Sequence, residues 1–477
     1  MDSLKPSFSS HHPRVLLIKP FCYSDVISPP LGIGYLAAAL QNKARVFLLD
    51  GVKDRLQPAR LQSALDRFEP DLVGLSVVSA AWNTSLAYLK MIRQTRPQAL
   101  TLAGGPHPSL LPESCFAAAR GNLDYILRGD AEAALRLLIE RYREKQGHPL
   151  TGQDIQDIPG IYTETGGEII QTPMPVNQPC HDPVMPAWQL MPPAGYPQSP
   201  QGAFFRKFPV APLITSRGCP HECGFCSVAR LKGRQVRFRR PDHVTAEIQL
   251  LRSEYGVREI QFIDDNLTAA KSHVMAICES MLTNRLCIPW SCPNGIRADT
   301  LDEEMLEAMR AAGCYSLSIG LEAGTQAGLT RMNKHLDLEQ AISAVHLIAK
   351  KKLEVNGFFV LGYPGETRQN IRETIQLAKS LPLTRAHFML FTPLPGCREF
   401  DRIHREAKWD THYDTSFAQV SFVPEGFTSR QLKWWHRRAI FSFYGRPEHA
   451  RKLLAEIRSL GRLRYFFRRT WHWLSGL

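Results

Sequence analysis

The sequence predicts an α/β protein with two successive α/β regions and a helical C-terminal segment. Strand-like apolar runs alternate with helix-like segments over residues 14–140, and the alternation returns over residues 211–400. Between them, residues 141–210 include a stretch dense in Pro, Gln and Met. Because strand–helix alternation is typical of parallel sheets covered by helices, we expect a doubly wound, Rossmann-like sheet followed by a partial (β/α)6 barrel.

The first region contains five predicted strands, each a short apolar run. They span residues 14–20, 44–50, 70–78, 99–103 and 125–127. Helices are predicted at residues 29–40, 60–68 and 85–95. Ligands of such sheets bind at the carboxyl ends of the strands. Three loops lie there, and they contain the candidate binding residues Ser76, Gly104, Gly105, His107, Gly129 and Glu132.

The segment 141–210 predicts a linker with little regular structure. Residues 159–170 form a predicted hairpin with Gly166 and Gly167 at its turn. The proline-rich part that follows resists helix and strand formation. We expect Trp188, Tyr196 and Phe204 to fix this linker to the protein surface; contact with the substrate is the alternative.

The second region contains six predicted strands. They span residues 211–215, 259–264, 290–296, 316–324, 354–362 and 386–391, with clear helices at 302–312 and 338–350. In barrels of this type the chemistry lies at the carboxyl ends of the strands. The polar or glycine-rich candidates at those ends are Asp265, Arg297, Glu322, Gly362 and Pro364. Each is a weak signal alone, since a strand-end acid is often only a helix cap.

A cysteine triplet follows the first strand of this region. Cys219, Cys223 and Cys226 have the spacing C-x3-C-x2-C, which suits three irons of one [4Fe–4S] cluster. The next cysteine, Cys278, lies in a predicted helix. The fourth iron would therefore be open to a small molecule. A zinc knuckle is the alternative, although zinc sites usually combine two such pairs of ligands.

The triplet, with the aromatic Phe225 before its last cysteine, resembles the signature of radical S-adenosylmethionine (SAM) enzymes. The resemblance implies that SAM chelates the open iron and is cleaved by one electron to a 5′-deoxyadenosyl radical. It also implies SAM contacts by Phe225 and by the strand-end residues: Asp265, Arg297, Glu322, Gly362 and Pro364. The electron donor would be a flavodoxin-like or ferredoxin-like protein.

The three loops of the first region resemble the cobalamin-binding domain that precedes the barrel in many radical SAM enzymes. The resemblance implies cobalamin contacts by Ser76, Gly104, Gly105, His107, Gly129 and Glu132. The Asp-x-His-x-x-Gly pattern, whose histidine ligates cobalt in many such domains, is absent. We therefore expect no protein imidazole on cobalt. A degenerate domain without cofactor, with His107 as a turn residue, is the alternative.

Composition and the C-terminal region, residues 401–477, indicate location and partners. The net charge is +13, the cysteines are odd in number and scattered, and no signal peptide or membrane-spanning run is visible. We expect a cytoplasmic protein. From Arg430 onward there are 12 basic and two acidic residues, interleaved with aromatics. For residues 462–473 we expect peripheral contact with an anionic membrane; nucleic-acid binding and a helical cap are the alternatives.

Together the motifs resemble a cobalamin-dependent radical SAM enzyme, over about residues 14–445. The implied reaction is methylation of an unactivated carbon in a small-molecule or lipid-like substrate. One alternative is a cyclase resembling the anaerobic magnesium-protoporphyrin ester cyclase. A methylthiotransferase-like enzyme acting on nucleic acid is another, although such enzymes usually carry an extra cluster domain or an added RNA-binding domain, and neither is visible in the sequence. A non-enzymatic cobalamin sensor is a third.

Overall fold

The computed structural model describes residues 12–23, 26–148, 150–174, 184–198, 204–405, 417–447 and 449. Contacts divide the chain into two compact units, Met1–Pro192 and Pro193–Leu477. The predicted membrane-binding segment, residues 462–473, lies outside the described residues. Within the described part of the chain, no helix combines the length and the apolar character needed to cross a membrane.

The first unit contains a seven-stranded sheet in the order β2-β1-β3-β4-β5-β6-β7. Its strands are β1 (Arg14–Lys19), β2 (Arg45–Asp50), β3 (Leu72–Ser76), β4 (Leu100–Gly104), β5 (Tyr125–Leu127), β6 (Ile161–Thr165) and β7 (Glu168–Gln171). Strands β1 to β5 are parallel. The order 2-1-3-4-5 is that of a doubly wound, flavodoxin-like sheet, which confirms the predicted Rossmann-like fold.

Helices cover both faces of this sheet. They are α1 (Leu31–Ala39), α2 (Gly51–Asp54), α3 (Pro58–Phe68), α4 (Trp82–Thr95), α5 (Pro106–Leu110), α6 (Pro112–Ala119), α7 (Glu132–Glu144) and α8 (Gly152–Ile155). One core cluster joins β1 to α1 and α7, with Ile33 and Leu135 fully buried. The other joins the opposite face to α3, α4 and α6 through Leu61, Leu89 and Phe116.

The predicted hairpin forms, but as part of the sheet. Strand β6 pairs antiparallel with β5, and β7 pairs antiparallel with β6. The first unit therefore continues beyond residue 140, through a segment in which the sequence predicts a linker. Farther along, Trp188 is 1% exposed and the Ala187 N–H donates to the Gly34 carbonyl at 3.0 Å, so this part of the proline-rich segment packs on α1.

The second unit contains a six-stranded parallel sheet in the order β8-β11-β12-β13-β14-β15. Its strands are β8 (Val210–Leu213), β11 (Glu259–Phe262), β12 (Trp290–Ile296), β13 (Cys314–Glu322), β14 (Glu354–Leu361) and β15 (Arg385–Leu390). A separate antiparallel pair joins β9 (Ser216–Arg217) to β10 (Arg237–Phe238). Because β8 and β15 are both edge strands, this is the predicted partial (β/α)6 barrel.

The helices of the second unit alternate with these strands. They are α9 (Val228–Lys232), α10 (Pro241–Tyr255), α11 (Lys271–Thr283), α12 (Glu303–Ala311), α13 (Gln326–Arg331), α14 (Leu338–Lys350), α15 (Arg368–Ser380), α16 (Arg398–Arg405) and α17 (Ser429–Tyr444). Cys278 lies in α11, as the sequence predicts, and is buried.

Helix α17 covers the edge strand β15. Its buried face consists of Leu432, Trp435, His436, Ala439 and Phe443. The His436 ring nitrogen Nε2 lies 2.9 Å from the Phe388 carbonyl oxygen. The Tyr444 hydroxyl donates to the Ala386 carbonyl at 3.1 Å and accepts from the Ala386 N–H at 3.3 Å. This helix is therefore a cap that satisfies exposed backbone groups of the edge strand.

Candidate active site

The three cysteines lie on one loop between β9 and α9. Cys219, Cys223 and Cys226 are each partly buried. They lie close enough together that a charge on Cys219 raises the pKa of both Cys223 and Cys226. Burial raises the pKa of all three thiols, that of Cys226 to about 12. Lys334 and Arg297 act against this rise at Cys219 and Cys223. The loop therefore gathers three thiols beside two cations.

Asp265 holds the start of this loop. Its carboxylate accepts the Gly218 N–H at 3.0 Å and lies 3.0 Å from the Lys232 ammonium group. Gly218 has φ +97°, and a β-carbon there would lie 2.7 Å from the Gln235 carbonyl oxygen. Glycine is thus required for this close approach. Asp265, predicted as a SAM contact, is oriented towards the cysteine loop.

The middle of the loop packs against two strand-end loops. The Gly224 N–H donates to the Met332 carbonyl at 2.7 Å. A β-carbon at position 224 would lie 2.3 Å from the Tyr363 hydroxyl oxygen. That hydroxyl in turn lies 3.3 Å from the Glu399 carboxylate on α16. The cysteine loop is therefore fitted to side chains that follow β14.

Glu322 ends β13 as half of a buried ion pair. Its Oε1 lies 2.7 Å from the Lys334 Nζ, and the two side chains are 7% and 8% exposed. Glu322 has φ +62°, a left-handed conformation that is unusual for a residue other than glycine. At Gly320, a β-carbon would lie 2.4 Å from the Glu322 Oε1. The backbone is thus shaped around this ion pair.

The ion pair lies beside the cysteine loop. Lys334 Nζ is 5.8 Å from the ring centroid of Phe225. Burial opposes the charge of Lys334, but the carboxylate of Glu322 and the Cys223 sulfur raise the pKa of its ammonium group. Lys334 therefore stays charged and faces both Glu322 and the cysteine loop.

Arg297 supports the turn that carries Lys334. Its guanidinium group pairs with the Asp299 carboxylate at 2.8 and 2.5 Å. It also donates to the carbonyls of Lys334 and His335 at 2.8 Å each. Most of its N–H groups are therefore used within the protein. Its positive charge lowers the pKa of Cys219 and Cys223, while its hydrogen bonds position Lys334.

The glycine-rich loop after β14 is a tight turn held by Glu366. The Glu366 carboxylate accepts the Gly362 N–H at 2.5 Å. Burial raises the pKa of this carboxyl to about 7. Gly362 has φ +80° and Gly365 φ +74°, with Pro364 partly exposed between them. Gly362 and Pro364, predicted as SAM contacts, thus lie in a loop whose conformation is held by the Glu366 carboxylate of the same loop.

In the first unit, the predicted cobalamin loops meet at the carboxyl ends of β3, β4 and β5. Ser76 ends β3 opposite Gly104 at the end of β4. Gly105 has φ +90°, and a β-carbon there would lie 2.9 Å from both the N and O atoms of Val77. Glycine thus allows the β4 loop to lie directly on the β3 loop.

His107 is buried between these two loops, at 3% exposure. Its Nδ1 lies 3.1 Å from the Ser79 hydroxyl, and its ring centroid is 5.0 Å from that of Trp82. Burial lowers the pKa of the imidazole to about 4. A neutral ring in these contacts supports the β3 and β4 loops. It therefore fits a turn residue better than a cobalt ligand.

The third loop of the first unit follows β5. Gly129 has φ +71°, and a β-carbon there would lie 3.1 Å from the terminal methyl of Met174. Glu132 is the first residue of α7 and is partly exposed. The structure therefore brings Ser76, Gly104, Gly105 and His107 together, with Gly129 and Glu132 on the adjacent strand end.

The cysteine loop fits an iron–sulfur cluster by its donor set. Iron binding deprotonates thiols, and Lys334 and Arg297 supply positive charge beside the resulting thiolates. A closed zinc site needs four ligands on one ion. In a [4Fe–4S] cluster each thiolate ligates a separate iron, so three thiols on one loop can hold three of the four irons.

Several residues of this site were not predicted from the sequence. Lys334 follows helix α13, whereas the predicted SAM contacts lie in the cysteine loop and at strand ends. Tyr363 lies inside a predicted strand-end loop, but its contact with Gly224 depends on the tertiary fold. No sequence pattern marks Lys334. Its neighbour Asn333 donates its side-chain amide to the Glu222 carbonyl of the cysteine loop at 2.7 Å, a contact that depends on the tertiary fold.

Comparisons with known proteins identify two domains along the chain. A family model described as the radical SAM superfamily matches residues 213–378, and one described as the B12 binding domain matches residues 24–139. An uncharacterized methyltransferase of Pyrococcus horikoshii is 28% identical over 444 residues, covering 91% of this chain and 93% of its own. The anaerobic magnesium-protoporphyrin IX monomethyl ester cyclase of Cereibacter sphaeroides is 24% identical, covering 87% of this chain and 68% of its own.

A solved structure shares the fold. It is the radical S-adenosylmethionine methyltransferase TsrM from Kitasatospora setae, with cobalamin and a [4Fe–4S] cluster bound. The match has a TM-score of 0.68 at 19% identity and covers 83% of this chain and 75% of that one. With a B12 binding domain and a radical SAM domain in one chain, the protein belongs to the radical SAM enzymes that carry a cobalamin-binding domain.

Proposed function

We propose that the protein is a cobalamin-dependent radical SAM methyltransferase that methylates an unactivated carbon of a small-molecule or lipid-like substrate. The observation that carries the proposal is the cysteine loop: three free cysteines close together in the chain, beside the buried Lys334–Glu322 pair, in a chain that also has a B12 binding domain. A relative similar over 91% of the chain is named a methyltransferase, which favours methyl transfer over other radical chemistry.

In this proposal Cys219, Cys223 and Cys226 hold a [4Fe–4S] cluster. When bound, the cluster supplies the electron that cleaves SAM to methionine and a 5′-deoxyadenosyl radical, and cobalamin carries the transferred methyl group. The protein orients these groups and excludes water. Asp265 fixes the start of the cysteine loop, and Tyr363 limits the movement of Gly224.

The SAM site is proposed to lie between Phe225 and the ends of β13 and β14. Glu322 and Lys334 present opposite charges beside the cysteine loop, and such a pair suits the ammonium and carboxylate groups of the methionine part of SAM. Gly362 and Pro364 would lie near the adenosine. Asp265 and Arg297 have most of their polar atoms engaged by the protein, so their proposed contribution is to position this site.

Cobalamin is proposed to bind at the carboxyl ends of β3, β4 and β5. Ser76, Gly104, Gly105, Gly129 and Glu132 surround that edge. Gly105 lets the loop after β4 lie directly on the loop after β3, which would give a flat macrocycle a compact backbone surface to approach. His107 would support the loops from beneath, because its ring is buried against Ser79 and Trp82.

A cyclase is the second candidate function. The similarity to the magnesium-protoporphyrin ester cyclase extends over 87% of this chain, and thus over both domains. A cyclase would use the same radical to form a carbon–carbon bond, without methyl transfer. Both candidates therefore require the same cysteine loop and differ in their product.

Two further partners complete the proposal. A one-electron carrier of the flavodoxin or ferredoxin type would reduce the cluster, and the net charge of +13 suits such acidic proteins. The enzyme is proposed to be cytoplasmic, with peripheral membrane contact through residues 462–473. Nucleic acid is not a proposed partner.

The deciding experiment uses anaerobically reconstituted protein with SAM labelled in its methyl group, a reductant and a cell extract. Mass spectrometry should detect 5′-deoxyadenosine and a product that carries the labelled methyl. A product that has lost hydrogen and gained no label would support the cyclase. The absence of 5′-deoxyadenosine would overturn both candidates.

A further inference from the structure

Helix α17 has an outward face that its role as a cap does not use. This outward face consists of Arg430, Lys433, Trp434, Arg437, Arg438 and Phe441. Their spacing, close to i, i+3, i+4, i+7, i+8 and i+11, places them on one side of a helix. All six are exposed. Trp434 retains 51% and Phe441 60% of its accessible surface, which is unusual for such large apolar side chains.

The outward face is strongly positive. It presents four cations, and no Asp or Glu occurs between Gly426 and Gly445. The opposite face of α17 is buried against the barrel through residues such as Trp435 and Phe443. The helix is therefore fixed in place by its buried side. The exposed aromatic and basic side chains of the outward face lie on the other side of the helix.

Contacts within the outward face decide what kind of ligand it suits. The Arg438 guanidinium lies 5.1 Å above the Trp434 ring, and the Trp435 ring meets Trp434 edge to face at 4.8 Å. Single-stranded nucleic acid binds by stacking bases on open aromatic faces. Because Arg438 lies over Trp434, this ring is poorly placed for stacking. An indole edge flanked by cations instead suits the headgroup layer of a bilayer.

We propose that the outward face of α17 is a docking surface for an anionic phospholipid bilayer. Trp434 and Phe441 enter the headgroup boundary, and Arg430, Lys433, Arg437 and Arg438 reach lipid phosphates. The charge complementarity between four cations and an anionic leaflet drives the association. This inference is independent of the proposed chemistry, since none of these residues lies in the cysteine loop or the cobalamin loops.

The test is vesicle co-sedimentation of the full chain, with vesicles of phosphatidylcholine alone and of phosphatidylcholine mixed with phosphatidylglycerol. Two variants address the surface: R430Q/K433Q/R437Q/R438Q and W434A/F441A. The charge-matched control is R252Q/R285Q/R310Q/K350Q, which removes four exposed cations from elsewhere on the same unit. Thermal melting checks that all variants fold, since every substituted side chain is exposed.

The unsubstituted protein should bind the anionic vesicles, with binding that weakens as the salt concentration rises, and it should not bind the neutral vesicles. The α17 charge variant should bind about a thousandfold more weakly, the aromatic variant should also bind less, and the control should bind normally. Equal binding by the α17 variants and the control would overturn the proposal. Salt-sensitive binding of a single-stranded RNA without binding to vesicles would overturn it in favour of nucleic acid.

Discussion

The ammonium group of Lys334 lies 2.7 Å from the carboxylate of Glu322, with both side chains buried beside the cysteine loop. Removing one partner would leave the other charge buried and unpaired, which typically costs about 3–5 kcal/mol. We therefore expect Lys334→Met to lower the free energy of unfolding of the apoprotein by that amount. The measurement is urea denaturation without cofactors.

The double variant K334M/E322Q is the control, because it leaves no unpaired charge. It should be more stable than K334M, and equal stability would contradict a buried ion pair. Glu322→Gln should leave the iron content unchanged but weaken SAM binding by about 1.5–3 kcal/mol, the usual scale for a charge-assisted hydrogen bond. Unchanged SAM affinity would remove Glu322 from the proposed site.

The cysteine triplet should be necessary for the cluster. Replacing Cys219, Cys223 and Cys226 together by Ala should abolish iron binding and 5′-deoxyadenosine formation, since each thiolate is proposed to hold one iron. Replacing the buried Cys278 by Ala is the matched control and should leave both intact. Iron analysis and absorption spectroscopy after anaerobic reconstitution provide the readout. A triple variant with full iron content would refute the assignment.

The fit between Gly224 and Tyr363 predicts a compensating pair of substitutions. A β-carbon at position 224 would lie 2.3 Å from the Tyr363 hydroxyl oxygen but 3.5 Å from the ring carbon that carries it. Gly224→Ala should therefore distort the cysteine loop and reduce iron uptake. The double variant G224A/Y363F removes the clashing oxygen and should recover much of that uptake. Failure of Y363F to rescue would show that the distortion arises elsewhere.

Two glycines of the first unit make a matched pair for the loop after β4. Gly105 and Gly121 both have positive φ, at +90° and +76°. Gly105→Ala would place a β-carbon 2.9 Å from backbone atoms of Val77, whereas at Gly121 no atom lies within 4 Å. Both variants should lose roughly 1 kcal/mol from the conformation itself. Only G105A should lose further stability and cobalamin uptake, as measured by thermal melting and absorption spectra.

Glu259 should make the stability of the barrel depend on pH. It is fully buried, where its carboxylate accepts the N–H groups of Arg206 and Lys207 and the Tyr315 hydroxyl. Burial raises the pKa of this carboxyl from its usual 4.5 to about 7. The proton is bound more tightly in the folded state, so the corresponding stability is complete below about pH 4.5 and is lost as the pH rises through about 7.

The variant Glu259→Gln tests this dependence. The glutamine oxygen can accept the two backbone N–H groups, and its amide can donate to the Tyr315 oxygen. The unsubstituted protein should lose up to about 3 kcal/mol across that interval through this group, and E259Q should show a correspondingly flatter profile. Denaturant unfolding at a series of pH values measures both, and parallel profiles would contradict the prediction.

The fold was largely predictable because its strands are short apolar runs that end at glycine, proline or polar residues. The hairpin β6–β7 was also predicted, but its pairing with β5 was not, since period and turn residues do not identify a partner strand. In the site, the sequence indicated Glu322 by its place at a strand end. Lys334 follows a helix, and it reaches the site through a buried ion pair with Glu322, whose backbone is left-handed. No local sequence pattern predicts this contact. The predicted SAM and cobalamin contacts stay predictions.

The position of α17 on β15 has a practical consequence for work with shortened proteins. A half-barrel leaves backbone groups of its last strand open to other chains, and here Tyr444 and His436 occupy them. A protein ending near residue 400 would retain the proposed cysteine and SAM residues. It would lack α17, however, so backbone groups of the edge strand β15 would be open to pairing with other molecules in solution. Expression of the barrel alone should therefore extend through Tyr444, or the product will associate through that strand.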